Sequence, residues 1–281
     1  MSAITVTPCN GPGAEIGNVE LAAELSDDDF AVLQQAFADH GLLFFRDQDI
    51  SPEKHIEFAE RWGEINVNRF FTPVEGYPQI ALVSKEPEDT TNIGGGWHTD
   101  HSYDEIPALG SILVARELPE SGGDTMFADM AAAYEALPDD TKEKLDGLEA
   151  VHSAKHIFGH QSAYKEDGDL NDRFGNEDAA DTLDDVTHPV VITHPLSGKK
   201  TLYVNGAFTV GIKGWTPKES AELLMPLYQH AIQDEFVTRF QWKPGSIAFW
   251  DNRATWHYAL NDYQGQKRTM HRITVEGCVI H

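Results

Sequence analysis

Cysteine is nearly missing from this chain of 281 residues: Cys9 and Cys278 are its two, near opposite ends. That excludes a disulfide framework and the paired Cys-x-x-Cys of a zinc site. Basic residues are also scarce, with 21 lysines and arginines against 46 acids and a formal net charge of −25. A surface this negative is repelled by phosphate backbones, which argues against nucleic acid as a partner. No run approaches the roughly 18 apolar residues of a membrane span. The opening MSAITVTPCNGPG lacks the basic flank and apolar stretch of a secretory leader, so a cytoplasmic protein without a membrane partner is expected. Glycine patterns of the Gly-x-Gly-x-x-Gly or P-loop type are absent, as are internal repeats.

What is present is a hydrophobic fraction of 41%, enough for one domain spanning residues 1–281. Ser26 is placed to cap a helix carrying Phe30, Leu33 and Phe37 before Gly41 stops it, and the strand LLFF, Leu42 to Phe45, follows. Ser51 and Pro52 open a second helix with the stripe Ile56, Ala59 and Trp62, ending at Gly63. Thr216, Pro217 and Glu219 form a capping box for a helix through Leu223, Leu227 and Ala231. HPVVITHP and KTLYVN read as strands joined by LSGK, QWKPGSIAFWDN as strand, turn, strand, and HRITVEG as another alternating strand. Short strands punctuated by turns favour a sandwich, barrel or jelly roll over a doubly wound sheet. The segment 165–186 holds nine acids and one arginine between Glu166 and Asp185, without apolar periodicity. A solvated loop is expected there, or a lid ordered by a ligand.

The segment GGGWHTD carries chemistry, because on an extended chain His98 and Asp100 point from one face toward one point. Another His-x-acid pair, His55 and Glu57, lies within a predicted helix, where positions two apart diverge, so it reads as structural. Downstream, WDNRATWHYALNDYQGQKRTMHR offers His257 as a third ligand, followed by Arg268 and Arg272. Two histidines and a carboxylate with open positions form the facial triad of non-haem Fe(II) oxygenases. A buried arginine would bind a co-substrate carboxylate through a bidentate fork. His101, next to Asp100, faces away on a regular strand.

With HGLLFFRDQDIS, WHTD and ELPESGGDTMFADM added to that downstream segment, the sequence resembles the taurine and 2,4-dichlorophenoxyacetate dioxygenase family, nearly end to end. The resemblance implies a mainly β protein with peripheral helices around a double-stranded β-helix, a cupin-like jelly roll. It implies Fe(II) on His98, Asp100 and His257, and 2-oxoglutarate held by Thr125 and Arg268. It further implies that Arg272 receives the acid group of a small anionic substrate, with Phe158 and Phe208 in the substrate pocket. Trp250 resembles an aromatic near the iron, although core packing accounts for it equally, and Arg253 reads as a tie within its turn. Taurine-specific members carry a substrate-binding histidine where this chain has Asn68, followed by Phe70 and Phe71. They carry an asparagine where it has Gly94. Both departures point away from taurine, and Asn68 is expected to donate to a substrate oxygen or to serve its own loop.

The implied reaction consumes O2 and 2-oxoglutarate, releases succinate and CO2, and hydroxylates a sulfonate, alkyl sulfate, aryloxyalkanoate or other carboxylate. Asp100 argues against halogenation, since related halogenases lack that carboxylate. Two alternatives share the same residues: a zinc-dependent hydrolase using a metal-bound water, and a non-catalytic jelly-roll protein binding a small anion. The hydrolase leaves Thr125 and Arg268 unexplained. A homo-oligomer, dimer or tetramer, is expected from the resemblance.

Overall fold

A computed structural model of the chain describes residues 3–160, 162 and 177–281. The strand Leu42–Phe45 shows how the sequence builds the fold, because its four apolar residues do not alternate with polar ones. Both of its faces are covered, as a continuous apolar run requires. Leu43 and Phe45 pack with Leu33, Phe37 and Phe58 beneath two helices, whereas Leu42 and Phe44 pack with Phe127, Phe240 and Trp250 on the other side. The strand Ile247–Asp251 is divided the same way, Ile247 and Phe249 toward the helices and Ala248 and Trp250 toward the interior.

These strands belong to a nine-stranded sheet. Leu42–Phe45 pairs with Ile247–Asp251, which pairs with Gly110–Glu117, then Arg268–Val275, then Tyr77–Lys85. Every pairing is antiparallel except that of Ala14–Gly17 with Leu42–Phe45. A second sheet runs in the order Val237–Phe240, Thr125–Asp129, Thr255–Ala259. Phe127 and Phe240 from it close over Leu42, Phe44, Trp250 and Met270 of the large sheet. The two sheets form the jelly-roll core, with helices at its periphery. The Pro-Gly turn after Trp242 carries the chain from one sheet to the other, so its flanking strands are not a hairpin.

The helix Asp27–His40 is capped by Ser26, whose hydroxyl accepts from the Asp29 N–H at 3.1 Å, and ends on Gly41 at φ 65°. Pro217–Ala231 carries the expected capping box, Thr216 with Glu219. The second helix differs from expectation: it spans Pro52–Glu60 and buries His55, Phe58 and Ala59. Trp62 lies beyond its end, turned back to pack on Phe30, Phe37, Phe58 and Phe249. His55 and Glu57 do diverge, the first fully buried and the second paired with Lys54 at 2.5 Å. Part of the acidic segment also departs from a loop, since Glu177–Thr182 is helical with Ala180 buried. The remainder of the expected loop or lid, 165–176, lies outside the described residues. No helix among the described residues is long and apolar enough to cross a membrane.

Candidate active site

His98 and Asp100 do not share an extended strand. His98 forms a single β-bridge with His257, and Asp100 sits in the turn that follows. Convergence comes from that turn rather than from strand alternation. The bridge is a hydrogen-bonded pair, His98 N–H to His257 C=O at 3.1 Å and His257 N–H to His98 C=O at 2.7 Å. It sets the two imidazoles 4.0 Å apart, centre to centre. Asp100 completes the cluster, its carboxylate oxygens 3.8 Å from His98 Nε2 and 3.9 Å from His257 Nε2. The three side chains are the one group of three or more potential ligands among the described residues with mutual approach within 4.8 Å. That spacing admits a divalent ion bound at roughly 2.0–2.2 Å after small adjustments. The Gly96 carbonyl lies 2.7 Å from His98 Nδ1, which assigns the proton there and leaves Nε2 as the donor to metal. Burial lowers the pKa of both histidines, so each imidazole is neutral and ready to ligate.

Burial alone would push the Asp100 carboxyl up, but the Arg272 guanidinium beside it outweighs this and holds it well below the usual carboxylate range. Arg272 Nη1 reaches both carboxylate oxygens at 3.1 Å. From the other side Ser111 Oγ donates to Oδ2 at 2.9 Å, Asn252 Nδ2 donates to Ser111 Oγ at 3.1 Å, and Trp250 Nε1 donates to Asn252 Oδ1 at 2.8 Å. Trp250 is thus both a core residue and the anchor of this relay, and its ring lies 4.6 Å from that of His257, tilted by 45°. Groups that orient a ligand are worth roughly 10–100-fold in metal affinity. Ser111→Ala is accordingly expected to weaken Fe(II) binding tenfold or more in a chelator competition, and unchanged affinity would remove the relay's role.

Arg268 and Thr125 both line the cavity, from different sheets, and both lie against Trp242. Arg268 is 5% exposed, and its Nε and Nη2 have no hydrogen-bond partner. The neighbouring acid, Asp124, is engaged by Arg239 at 2.7 Å. Gly123, at φ 70°, permits the close approach, because a Cβ there would come within 3.2 Å of Arg268 Cδ. Thr125 Oγ1 accepts from Trp242 Nε1 at 3.0 Å, which leaves its own O–H to donate. Buried guanidinium donors beside a free hydroxyl fit a carboxylate, as a 2-oxoglutarate site demands.

The cavity has a volume of about 370 Å³ and takes in the triad, Thr125, Arg268, Arg272, Phe158 and Phe208 together. Arg272 lies over the Phe71 ring at 4.5 Å with its Nε unpaired. Asn68 is placed differently. Its Oδ1 accepts from the N–H groups of Phe70 at 2.9 Å and Phe71 at 3.1 Å, and its Nδ2 meets His101 Nε2 at 3.2 Å. It does not line the cavity but shapes the turn that presents Phe71. His101 faces away from the cavity, at φ 58°, as expected of a non-ligand. Gly94, at φ 80°, would bring a Cβ within 3.3 Å of His98 Cε1, so a side chain there presses on a ligand. Arg253 ties its turn through two bonds to the Asp251 carboxylate at 2.9 and 2.7 Å. No local pattern singles out Ser111, Asn252 or the cavity residue Tyr103; only a long-range strand pairing brings the first two together.

Residues 5–274 match the family model described as taurine catabolism dioxygenase TauD, TfdA family. The chain is 35% identical over 267 residues to an alpha-ketoglutarate-dependent sulfate ester dioxygenase of Pseudomonas putida, covering 94% of this chain and 86% of the relative. It is 34% identical to the (S)-phenoxypropionate/alpha-ketoglutarate-dioxygenase of Sphingobium herbicidovorans, covering 94% and 92% of the two chains. The crystal structure of a taurine dioxygenase from Burkholderia xenovorans superposes with a TM-score of 0.82 at 33% identity, over 99% of this chain and 92% of that one. Sequence, fold and a ligand set suited to Fe(II) agree, and the chain belongs to the TauD/TfdA family of Fe(II)- and 2-oxoglutarate-dependent dioxygenases.

Proposed function

We propose that this dioxygenase hydroxylates a small organic anion with an apolar body, of the sulfate ester or aryloxyalkanoate kind, and that taurine is a poor substrate. One observation carries this: among the described residues lining the cavity, the sole carboxylate is Asp100, already committed to the metal cluster and Arg272. A substrate ammonium would find no counter-charge, whereas Phe71, Phe158 and Phe208 offer an apolar wall. The names of the relatives, one acting on sulfate esters and one on phenoxypropionate, agree with it.

Bound Fe(II) and 2-oxoglutarate supply the oxidising power, one O2 being divided between succinate, formed with release of CO2, and the hydroxylated product. His98, Asp100 and His257 hold the metal on one face. Thr125 and Arg268 hold the distal carboxylate of 2-oxoglutarate. Arg272 receives the substrate acid group, and the aromatic wall excludes water and fixes the target carbon. If that carbon bears an oxygen substituent, the hydroxylated product collapses and the C–O bond breaks. A cytoplasmic location and a dimeric or tetrameric assembly form part of the same proposal, supported by the family resemblance alone.

The test is an anaerobic titration of the metal-free protein with Fe(II) and 2-oxoglutarate, which together give a visible charge-transfer band. Hexyl sulfate or 2-phenoxypropionate is expected to perturb the band at concentrations at least tenfold below those at which taurine acts. Tighter response to taurine would overturn the substrate class, and no band at all would return the zinc hydrolase and the binding protein to consideration.

A further inference from the structure

Tyr103 lines the cavity, is 4% exposed, and makes no hydrogen bond through its hydroxyl among the described residues. Its ring is well provided for: it meets Phe208 edge-on at 4.7 Å and lies 5.8 Å from Phe70 and 5.9 Å from Phe158. Phenylalanine would make the same packing contacts. The hydroxyl is thus not needed for packing, and on the cavity wall it is left free to donate to a ligand.

The backbone that delivers Tyr103 is fixed from two directions. His101 Nδ1 lies 2.8 Å from Asp104 Oδ2, Asp104 Oδ1 takes Arg69 Nη2 at 2.7 Å, and Asn68 Nδ2 meets the other ring nitrogen of His101 at 3.2 Å. The turn that carries Tyr103 is therefore pinned by side-chain bonds on either side of it. Arg272 enters the same cavity with Nε unpaired and with Nη1 already shared by Asp100. An incoming acid group thus meets an incomplete guanidinium and has oxygens to spare for a second donor.

We propose that Tyr103 is a substrate-recognition residue whose phenol donates a hydrogen bond to the acid group received by Arg272. This rests on the anion-binding role given to Arg272 above. It adds a geometric requirement, because the acid group must offer acceptor oxygens to two donors, one from a turn and one from the strand Arg268–Val275.

Tyr103→Phe keeps the ring and removes only the donor, whereas Tyr103→Leu removes both. With the Fe(II) and 2-oxoglutarate complex held anaerobically, hexyl sulfate is the probe. The phenylalanine variant is expected to show an unaltered charge-transfer band and unaltered slow 2-oxoglutarate consumption without substrate. Its dissociation constant for hexyl sulfate is expected to rise tenfold or more. A constant within twofold of wild type, with loss confined to the leucine variant, would show that Tyr103 only packs and would overturn the proposal. A disturbed band in the phenylalanine variant would overturn it as well, by placing the hydroxyl's effect at the metal. If the wild-type band ignores hexyl sulfate and 2-phenoxypropionate alike, the anion pocket itself falls and Tyr103's role with it. That failure is visible before any variant is made.

Discussion

Replacing Arg268 by methionine is expected to raise the 2-oxoglutarate concentration for half-maximal turnover about 10²–10³-fold, as losing one partner of a buried charged pair does. The same substitution is expected to leave the melting temperature of the ligand-free protein unchanged or higher. Both follow from one geometry: a guanidinium 5% exposed, two of its nitrogens unpaired, and Asp124 turned to Arg239. Without the co-substrate, folding strands a cation that burial penalises, and an apolar side chain of similar volume relieves this. With the co-substrate bound as proposed, that cation gains a carboxylate partner. Steady-state kinetics over a wide 2-oxoglutarate range, with thermal melts of ligand-free protein, check the two halves. An unchanged 2-oxoglutarate requirement would remove Arg268 from the co-substrate site. A melting temperature several degrees lower would mean that the guanidinium holds structure.

Acidification from pH 7 to 5 is expected to cost about 3–4 kcal/mol of stability through His55 and His152 alone, a large part of the 5–15 kcal/mol of an ordinary domain. Burial, then Arg116 and His271 nearby, pushes His55 down to about 3. Burial and His188 do the same to His152, also to about 3. In the unfolded chain both titrate near 6.5, so between 6.5 and 3 the unfolded state binds protons that the folded state refuses. Stability is therefore fully present above 6.5 and falls as the pH drops. Half-buried His271, pushed down to about 4, adds in the same direction. Relief of the net charge of −25 acts oppositely, but only once carboxylates protonate below about 5. Urea unfolding at pH 7, 6 and 5 measures the slope, and His55→Leu should roughly halve the part due to these two residues. A pH-independent midpoint, or a slope untouched by His55→Leu, contradicts the assignment.

Much of this was legible in the sequence. The ligands His98, Asp100 and His257 and the positions Thr125, Arg268, Arg272, Phe158 and Phe208 all come to one cavity. Helix starts were legible too, because Ser26, Ser51 and Thr216 cap through bonds to residues three positions away. What was hidden depends on contacts distant in the chain. Ser111 and Asn252 meet across a strand pairing that joins residues 141 apart. Nothing local marks them. The spacing of Trp62 from Ile56 and Ala59 suits a helix, yet its ring packs into the core after the helix has ended. Asn68 shows a related limit, since an amide able to donate to a substrate is equally able to close a turn, and here it closes the turn.

The reciprocal backbone bridge between His98 and His257 has a thermodynamic corollary. Two of the three ligands are brought into register by main-chain bonds that form on folding, so little conformational entropy remains to be lost when an ion arrives. A frame made of backbone is also indifferent to which divalent ion it receives. Affinities across Mn(II), Fe(II), Co(II), Ni(II) and Cu(II) should then climb in the order intrinsic to those ions. Selection of iron falls to metal supply rather than to the fold.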